Sequence, residues 1–501
     1  MMTKKIVPIV VLTFVFLGAS HTAAARQSKK QKEQIQELNR QIEQQEQTLK
    51  ELKEKVQALD ESKGGTKKAK EAAPPPAPSP EAAPVRKPGE APAPAEEAEA
   101  KMFEAERRGH QSPVPYQRNF DDKQDAAPRP GDYTLDPEYR GFIPIPHTVF
   151  MIKFNPKPRV DLTLDSGNSG DDFRFVPAKI PLDGDPQSGG GARFNANGNG
   201  SQMRLDMRAP YAKGNFRFYY QNDFFGSDTA NFRYRLQHLY GQYYGVTAGF
   251  TYGVFEDPDI WPDTLDYEGT NSTIFARRPL LHYTYKISDS TNITFGIEDP
   301  DIFVDLSGEG NATTNTQMPD LGFNFRWEPK GIGHMQFSTI FRSVGFNGDL
   351  FQNDDDFAWG INLSGAFNVN ESNTLLFLGV FGYGIGGMGN DTSFVNSDAA
   401  LDAGGNLVAL RYASGLFGYT HRWTPRLRST LSYGFAHLEN TDLQPADAYH
   451  FTHYGSGNLV YQLLKRLYIG AEALYGFKEV KDGRNGDVFR GQLSLIYSVF
   501  D

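Results

Sequence analysis

The chain has 501 residues and a formal net charge of −10, which argues against nucleic acid as a partner, because such binding relies on basic residues. Only 39% of the residues are hydrophobic, the mean hydropathy is −0.52, and no apolar run reaches about eighteen residues, so a helical membrane protein is excluded. Cysteine is absent, which fits passage through an oxidising compartment.

The amino terminus has the pattern of a secretory signal peptide. Lys4 and Lys5 precede an apolar run over residues 6–17, and three alanines at 23–25 form a small-residue cleavage site. The alternative, a membrane anchor, would need a longer run without a cleavage site. We therefore predict a signal peptide over residues 1–25 that is removed before Arg26.

A heptad pattern follows and predicts a coiled coil over residues 31–62. Its apolar stripe recurs at alternating spacings of three and four, with Lys, Glu and Gln between. A single solvated helix would gain little by keeping such a stripe. Ile at a and Leu at d favour dimers, but Gln45 and Leu49 weaken that rule. The predicted core positions are Ile35, Leu38, Ile42, Gln45, Leu49, Leu52, Val56 and Leu59.

Residues 63–145 are predicted to form a linker. From residue 72 to about residue 100 the chain is almost entirely Ala, Pro and Glu, a composition that cannot bury a core and favours a semi-extended spacer. The segment 101–145 remains polar and rich in proline, and we assign it no fold.

Residues 146–501 read as short amphipathic strands, and aromatic residues make up 13% of the chain. Phe216, Phe218 and Tyr220 share one face of a strand, while Arg217 and Gln221 share the other. No helical segment could cover the apolar faces, so lipid is the expected cover. Alternation and turn residues place sixteen strands at 148–165, 201–209, 213–223, 231–239, 244–254, 273–287, 291–298, 319–327, 333–343, 356–368, 374–382, 407–420, 426–437, 449–463, 467–478 and 488–500.

The connections between these strands alternate between short and long. This alternation is typical of bacterial outer-membrane β-barrels, in which short turns face the periplasm and an even strand count leaves both chain ends there. The fold class is therefore all-β: a 16-stranded antiparallel transmembrane barrel preceded by a periplasmic helical coiled coil. The predicted short turns are 210–212, 241–243, 288–290, 328–332, 369–373, 421–425 and 464–466.

The long connection after the fifth predicted strand, residues 255–272, is rich in acids. Sixteen strands enclose an aqueous lumen, and in sixteen-stranded porins the loop at this place folds inward and narrows the pore. The alternative is an external acidic loop without a gating role. The predicted constriction residues are Glu256, Asp257, Asp259, Asp263, Asp266 and Glu268.

Because strand residues alternate between two faces, the residues that do not face lipid are expected to face the lumen. If Phe232, Tyr234 and Leu236 face lipid, then Arg233 and Arg235 face the channel. The lumen wall inferred in this way is basic, although the protein as a whole is acidic. A ring of cationic side chains selects for anions. The alternative is that these arginines pair with lumen acids and brace the wall. The predicted lumen residues are Arg204, Arg208, Arg217, Arg233, Arg235, Arg278, Arg326, Arg411 and Arg428, with Arg490 on the same face.

Several segments together resemble the DcaP-like porins of Gram-negative outer membranes: 141–146 (GFIPIP), 202–208 (QMRLDMR), 223–226 (DFFG), 264–269 (TLDYEG) and 470–476 (GAEALYG). The resemblance implies a trimeric porin with a three-stranded periplasmic coiled coil and passive uptake of small anions such as dicarboxylic acids. The sequence departs from the family in the first strand, where Pro156 and Pro158 interrupt the pattern. Because proline removes a ladder donor, we expect this strand to be bulged or to begin later.

The function predicted from the sequence is an outer-membrane porin for small hydrophilic solutes, with an anion preference. One alternative is a structural protein whose coiled coil and linker tether the barrel to peptidoglycan. A membrane hydrolase is the other, but the sequence shows no nucleophile elbow, phosphate loop or metal-ligand pair. We therefore expect no enzyme activity, metal or cofactor, and expect the outer membrane, a homotrimer and small anions as partners.

Overall fold

The computed structural model describes residues 142–498, except 212–213, 228–230, 310 and 352–353, together with the single residue Arg40. The predicted signal peptide, the rest of the coiled coil and all but the end of the linker therefore lie outside the described residues. Among the described residues, no helix is long and apolar enough to cross a membrane.

The described part of the chain is built almost entirely from β-strands. Four single-turn 3₁₀ helices interrupt the connections, at Pro177–Lys179, Pro258–Ile260, Gly386–Met388 and Thr392–Phe394. The strands are β1 (Ile143–Pro144), β2 (Met151–Phe154), β3 (Arg159–Asp165), β4 (Arg193–Asn197), β5 (Met203–Tyr211), β6 (Gly214–Asp223), β7 (Arg235–Tyr243), β8 (Val246–Tyr252), β9 (Arg277–Ser288), β10 (Thr291–Glu298), β11 (Val304–Asp305), β12 (Ala312–Asn315), β13 (Asp320–Trp327), β14 (Gly333–Gly348), β15 (Asp354–Asn370), β16 (Asn373–Tyr383), β17 (Ala399–Leu401), β18 (Leu407–Ala409), β19 (Arg411–Thr424), β20 (Leu427–Leu438), β21 (Tyr449–Leu464), β22 (Leu467–Val480) and β23 (Asn485–Tyr497).

Most strands pair with their neighbours in the chain. Twenty strands belong to one sheet, and the long ones form antiparallel ladders from β5 through β10, from β13 through β16 and from β19 through β23. β10 also pairs with β13, β16 with β19, and β23 with β3. A small second sheet joins β11, β17 and β18 inside the long connections.

The first long strand is divided in two at its prolines, where the sequence predicted a bulge or a later start. β2 pairs with β5, and β3 pairs with β4 on one side and β23 on the other. Between β2 and β3, Lys157 forms an isolated bridge with Gln202, which continues the register of the β2–β5 ladder, and the β3–β4 ladder is shifted from it by one residue. The sequence analysis missed β4, whose short run follows a series of glycines.

Exposure alternates along the strands, as expected for a sheet with two different faces. In β23 every second residue is buried: Arg490 and Gln492 lie on the inner face, while Leu493 is 53% exposed on the outer face. Exposed Leu, Ile, Phe and Tyr side chains recur on the outer faces of β9, β10, β14 and β21. The outer surface is thus apolar and the inner surface polar, the reverse of a soluble protein.

Several boundaries differ from the prediction. The strand predicted at 407–420 is two strands in different sheets, β18 and β19, and β19 continues through most of the turn predicted at 421–425. The strand predicted at 231–239 begins at Arg235, because Phe232 has a positive φ of 55°, which an extended strand does not allow. The turn predicted at 241–243 lies at Tyr244 and Gly245, whose φ angles are 52° and 82°. Two successive positive φ angles suit a two-residue hairpin turn, and the right-handed twist of the flanking strands favours such turns.

The interior is filled by side chains from the long connections. Phe255, Ile260 and Trp261 pack against inner-face residues such as Ile340 and Leu376. This cluster is the largest apolar core in the described residues, and it lies between the connecting loops and the sheet rather than between two sheets.

One buried ion pair reinforces the backbone ladder between β3 and β23, which joins seven residue pairs. Arg490 donates to both carboxylate oxygens of Asp165, at 2.6 and 2.8 Å. Arg490→Ala leaves Asp165 buried and uncompensated, so we expect a loss of about 3–5 kcal/mol in stability, measured as a lower unfolding temperature by circular dichroism in detergent. The control is Arg411→Ala, which removes a half-exposed pair with Glu439 and should cost about 0–1 kcal/mol. Equal losses in the two variants would contradict this account of the pairing.

Candidate channel constriction

The connection from residue 253 to residue 276, here called the inward loop, lies inside the curve of the sheet. It contains the acids that the sequence predicted for a constriction, and five of them, Glu256, Asp257, Asp259, Asp263 and Asp266, are at least nine-tenths buried. The side chain of the sixth, Glu268, is only 9% exposed and lies 3.9 Å from Arg174. The structure therefore brings the six acids to the interior.

The first half of the inward loop is fixed to β13, β14 and β15. Asp257 accepts hydrogen bonds from Arg326 at 3.2 Å, from His334 at 2.8 Å and from Ser364 at 2.7 Å. Asp259 accepts a second hydrogen bond from Arg326 at 2.7 Å. One guanidinium thus contacts two loop carboxylates and also Glu328, at 2.7 Å, so a single positive charge offsets part of the cost of burying these acids.

The second half is fixed to the last strands. Asp263 forms an ion pair with Arg428 of β20, and the amide of Asn458 donates to the carbonyl of Asp263 at 2.7 Å. Tyr454 donates its hydroxyl to Asp266 at 3.2 Å. The loop therefore spans the interior and is held on opposite sides of the sheet.

Burial and neighbouring charges shift the pKa values of the loop carboxylates in different directions. Burial raises the pKa of Asp266 to about 7, although Arg490 opposes the shift. Burial also acts on Asp257, but the charges of His334 and Arg326 outweigh it and hold the pKa of that carboxyl well below its usual range. Asp257 is therefore a fixed anion, whereas Asp266 gains a proton near neutral pH.

Three of the predicted lumen arginines are neutralised by acids. Arg326 and Arg428 pair with the inward loop as described, and Arg278 contacts Asp320 at 2.6 Å. Arg490 is likewise paired with Asp165. At these positions the bracing alternative describes the geometry better than a free cationic wall.

A second group of predicted arginines lies together on the inner face of β5, β6 and β7. Arg208 and Arg217 are cross-strand partners, and both contact Asp206, at 2.9 and 3.1 Å. Arg204 donates to the side chain of Gln202 at 2.9 Å. Arg235 pairs with Asp223 at 2.6 Å.

Two predicted lumen residues lie elsewhere. Arg411 alternates with buried Tyr412 and shares its strand face with exposed Phe417, so it lies on the outer face, where it pairs with Glu439. Arg233 precedes β7, is exposed, and forms a parallel bridge with Phe225. The assumed strand boundaries misplaced both residues, because a one-residue change of register exchanges the two faces.

One arginine that the sequence analysis passed over lies close to the inward loop. The Arg277 guanidinium lies over the rings of Tyr252 and Phe275, at 5.7 and 4.8 Å from their centroids, and its Nη1 is buried without a hydrogen-bond partner. The alternation of strand residues places Arg278, rather than Arg277, on the predicted lumen face. The adjacent pair of arginines before a proline was the only available signal.

Two other long connections also enter the interior. The segment 166–192 places Phe175 and Ile180 against Tyr454 and Leu474, and its residue Ala178 donates a backbone hydrogen bond to Asp391 at 2.8 Å. Asp391 belongs to the connection between β16 and β17, and burial raises its pKa to about 6. The inward loop is therefore supported by neighbouring loops as well as by the strands.

An antiparallel sheet with an apolar outer face and a polar interior crossed by an acidic loop defines an outer-membrane porin-like channel. The chain belongs to the DcaP outer membrane protein family, whose sequence model matches residues 141–498. This match confirms the resemblance found in the sequence. It also places the protein in the bacterial outer membrane, among channels rather than enzymes.

Among solved structures, the chain is similar to the outer membrane channel DcaP of Acinetobacter baumannii, with 21% identity, a TM-score of 0.61, and coverage of 70% of this chain and 97% of that one. It is more distantly similar to an anion-selective porin from Comamonas acidovorans, with 12% identity, a TM-score of 0.44, and coverage of 70% of this chain and 99% of that one. OmpT of Vibrio cholerae in its trimer form gives 8% identity, a TM-score of 0.43, and coverage of 70% and 100%. At these identities the likeness shows the fold alone. No curated protein matches the sequence.

The attachment of the inward loop to Arg326 can be tested. Arg326→Ala leaves Asp257 and Asp259 without their guanidinium partner, so we expect the loop to move more and the open-channel current noise to rise several-fold in planar bilayers. Lys286→Ala serves as the control, because Lys286 is half-exposed and its ion pair is with the fully exposed Asp289 rather than with the inward loop. Unchanged noise in the Arg326 variant would show that this ion pair does not hold the loop.

Proposed function

We propose that this protein is a sixteen-stranded, homotrimeric outer-membrane porin that lets small hydrophilic solutes diffuse passively and prefers anions. The pairing of β23 with β3 supports closure of the sheet, since it gives the last strand a partner in the first. With β2–β3 and β4–β5 each counted as one divided strand, the ladders comprise sixteen transmembrane strands. The six acids of the inward loop narrow the lumen.

We further propose that the signal peptide, coiled coil and linker precede the barrel as the sequence indicates, with the coiled coil three-stranded and periplasmic. The start of β2 and the end of β23 support this orientation. Met151 pairs with Arg208, close to the short connection after β5, and Tyr497 pairs with Leu467, next to the turn before β22. Both chain ends therefore lie on the side of the short turns, which faces the periplasm in bacterial barrels.

The excess of arginine on β5, β6 and β7 carries the proposed anion preference. The described inner faces of these strands hold four arginines (Arg204, Arg208, Arg217 and Arg235) and two aspartates (Asp206 and Asp223). Arg277 adds a further cation beside them. The local charge is therefore positive even when each acid is paired, and a positive lumen wall attracts anions.

On the opposite side of the lumen, the acids of the inward loop outnumber their partners Arg326 and Arg428, so this side carries no excess of positive charge. A basic wall that faces this acidic, loop-lined side guides anions along the wall. Guanidinium groups offer paired donors that match carboxylates, so small carboxylates and dicarboxylates are the proposed solutes.

Anion preference can be tested by reversal potential. In a salt gradient across a planar bilayer, the wild-type protein should carry current mainly by anions. The double variant Arg204→Gln and Arg217→Gln removes the excess charge and leaves Asp206 paired with Arg208, so its reversal potential should move toward zero. Arg411→Gln, on the outer face, is the control and should behave as wild type. Cation preference in the wild type would refute the proposal.

A second experiment tests whether the channel prefers dicarboxylates to monocarboxylates. At equal ionic strength, a small dicarboxylate should block the chloride current at lower concentration than the matching monocarboxylate, because it can engage two guanidinium groups at once. Arg277→Gln should reduce this difference by about tenfold, the equivalent of about 1.4 kcal/mol. Equal block by both solutes would leave the anion preference intact but exclude the dicarboxylate assignment.

A further inference from the structure

Two glutamates hold the neck of the inward loop, the place where the loop leaves β8 and returns to β9. Glu298, at the end of β10, accepts hydrogen bonds from the backbone of Val254 at 2.6 Å and from His282 at 3.0 Å. Glu256 accepts a hydrogen bond from the backbone of Ala276 at 3.0 Å. One carboxylate thus binds the start of the loop, and the other joins the start to the end.

The remaining oxygens of these carboxylates face each other. The Oε2 atoms of Glu256 and Glu298 are both buried and have no donor among the described residues. A Cβ built on Gly253 would lie 2.3 Å from Glu298 Oε2 and 2.8 Å from Glu256 Oε2. The two oxygens therefore converge beside Gly253, whose missing side chain leaves the space they occupy.

The surrounding charges do not balance this pair. Arg278 of β9 contacts Asp320 of β13 at 2.6 Å, and Arg342 of β14 contacts both Asp320 and Asp398 of the connection between β16 and β17. Together with His282, the cluster contains four buried carboxylates, two guanidinium groups and one imidazole. With every carboxylate ionised and His282 neutral, two negative charges remain uncompensated, which is costly in a buried site.

We propose that Glu256 and Glu298 share one proton and that this proton closes the neck of the inward loop, so that the constriction responds to pH. A protonated carboxyl can donate to the facing carboxylate oxygen, which satisfies both unpartnered atoms at once. Two adjacent carboxyl groups commonly hold a single proton for this reason. Among the described residues no group of three or more His, Cys, Asp or Glu side chains could hold a metal ion, whereas calcium takes about six to eight oxygen ligands.

The direction of the pH effect follows from Glu256. Burial first, and then the charge of Glu298, raise its pKa from the ordinary 4.5 to about 8. The folded protein keeps this proton where the unfolded chain has lost it, so the stability that Glu256 contributes is greatest at low pH and falls as pH rises between about 4.5 and 8. Above that range the pair carries two charges, their repulsion opens the neck, and the loop moves.

The experiment uses the purified full-length protein and three variants. In the wild type, the unfolding temperature should fall between pH 5 and 9, and open-channel noise should rise over the upper part of the range. In Glu256→Gln, whose amide can donate to Glu298 and accept from Ala276, this component of the pH dependence should disappear. In Glu298→Gln the facing charge is gone, so the transition should move to lower pH.

Glu439→Gln is the control, since Glu439 is half-exposed and far from the neck; its profile should match the wild type. A fall in unfolding temperature between pH 5 and 9 that is as large in Glu256→Gln as in the wild type would overturn the proposal. If that variant does not assemble, an unshifted transition in Glu298→Gln overturns it instead. Protection of the wild type by calcium above pH 8 that is lost in Glu256→Gln would also overturn it, because a cation would then occupy the pair.

The proposal depends on the proposed function only through the current measurement. The unfolding profile tests the shared proton whether or not the channel prefers anions, whereas a reversal potential tests anion preference at a fixed pH. The two ideas can therefore fail separately.

Discussion

The ion pairs between the inward loop and the strands are the interaction on which the interior depends. Without Arg326 and Arg428, three buried acids of the loop, Asp257, Asp259 and Asp263, would lose their arginine partners, and the loop would be more stable in solvent. With them, a long polar segment can cross the interior and bring Phe255, Ile260 and Trp261 into an apolar core. The same ion pairs offset the positive charge of the arginines next to the inward loop. The excess of positive charge in the lumen therefore lies on β5 to β7.

Much of the fold could be predicted from the sequence, because a strand exposed to lipid on one face must alternate. The strand predicted at 291–298 coincides with β10, and the turn predicted at 328–332 lies between β13 and β14. The errors fall where local geometry overrides alternation. Phe232 adopts a positive φ that no hydrophobic pattern encodes, and β4 follows glycines that carry no alternation of their own.

The candidate site was only partly predictable, since a sequence shows which residues share a face but not which charges meet across the interior. The acids of the inward loop and most of the arginines were identified separately. That Asp257 and Asp259 would share Arg326 depends on the path of the loop, which no strand pattern contains. Arg411 was misplaced by the register of a single strand, and Arg277 was passed over because its neighbour fitted the alternation better.

The pairing between β3 and β23 has a consequence for how the chain matures. It joins residues that are 325 positions apart, so the first long strand has no partner along that edge until the last strand has been synthesised. Contacts of such long range form slowly, and an open strand edge is a template for aggregation in the meantime. The Pro156 and Pro158 that divide the first strand remove two donors from that waiting edge. They therefore protect the unassembled chain as well as shaping the finished sheet.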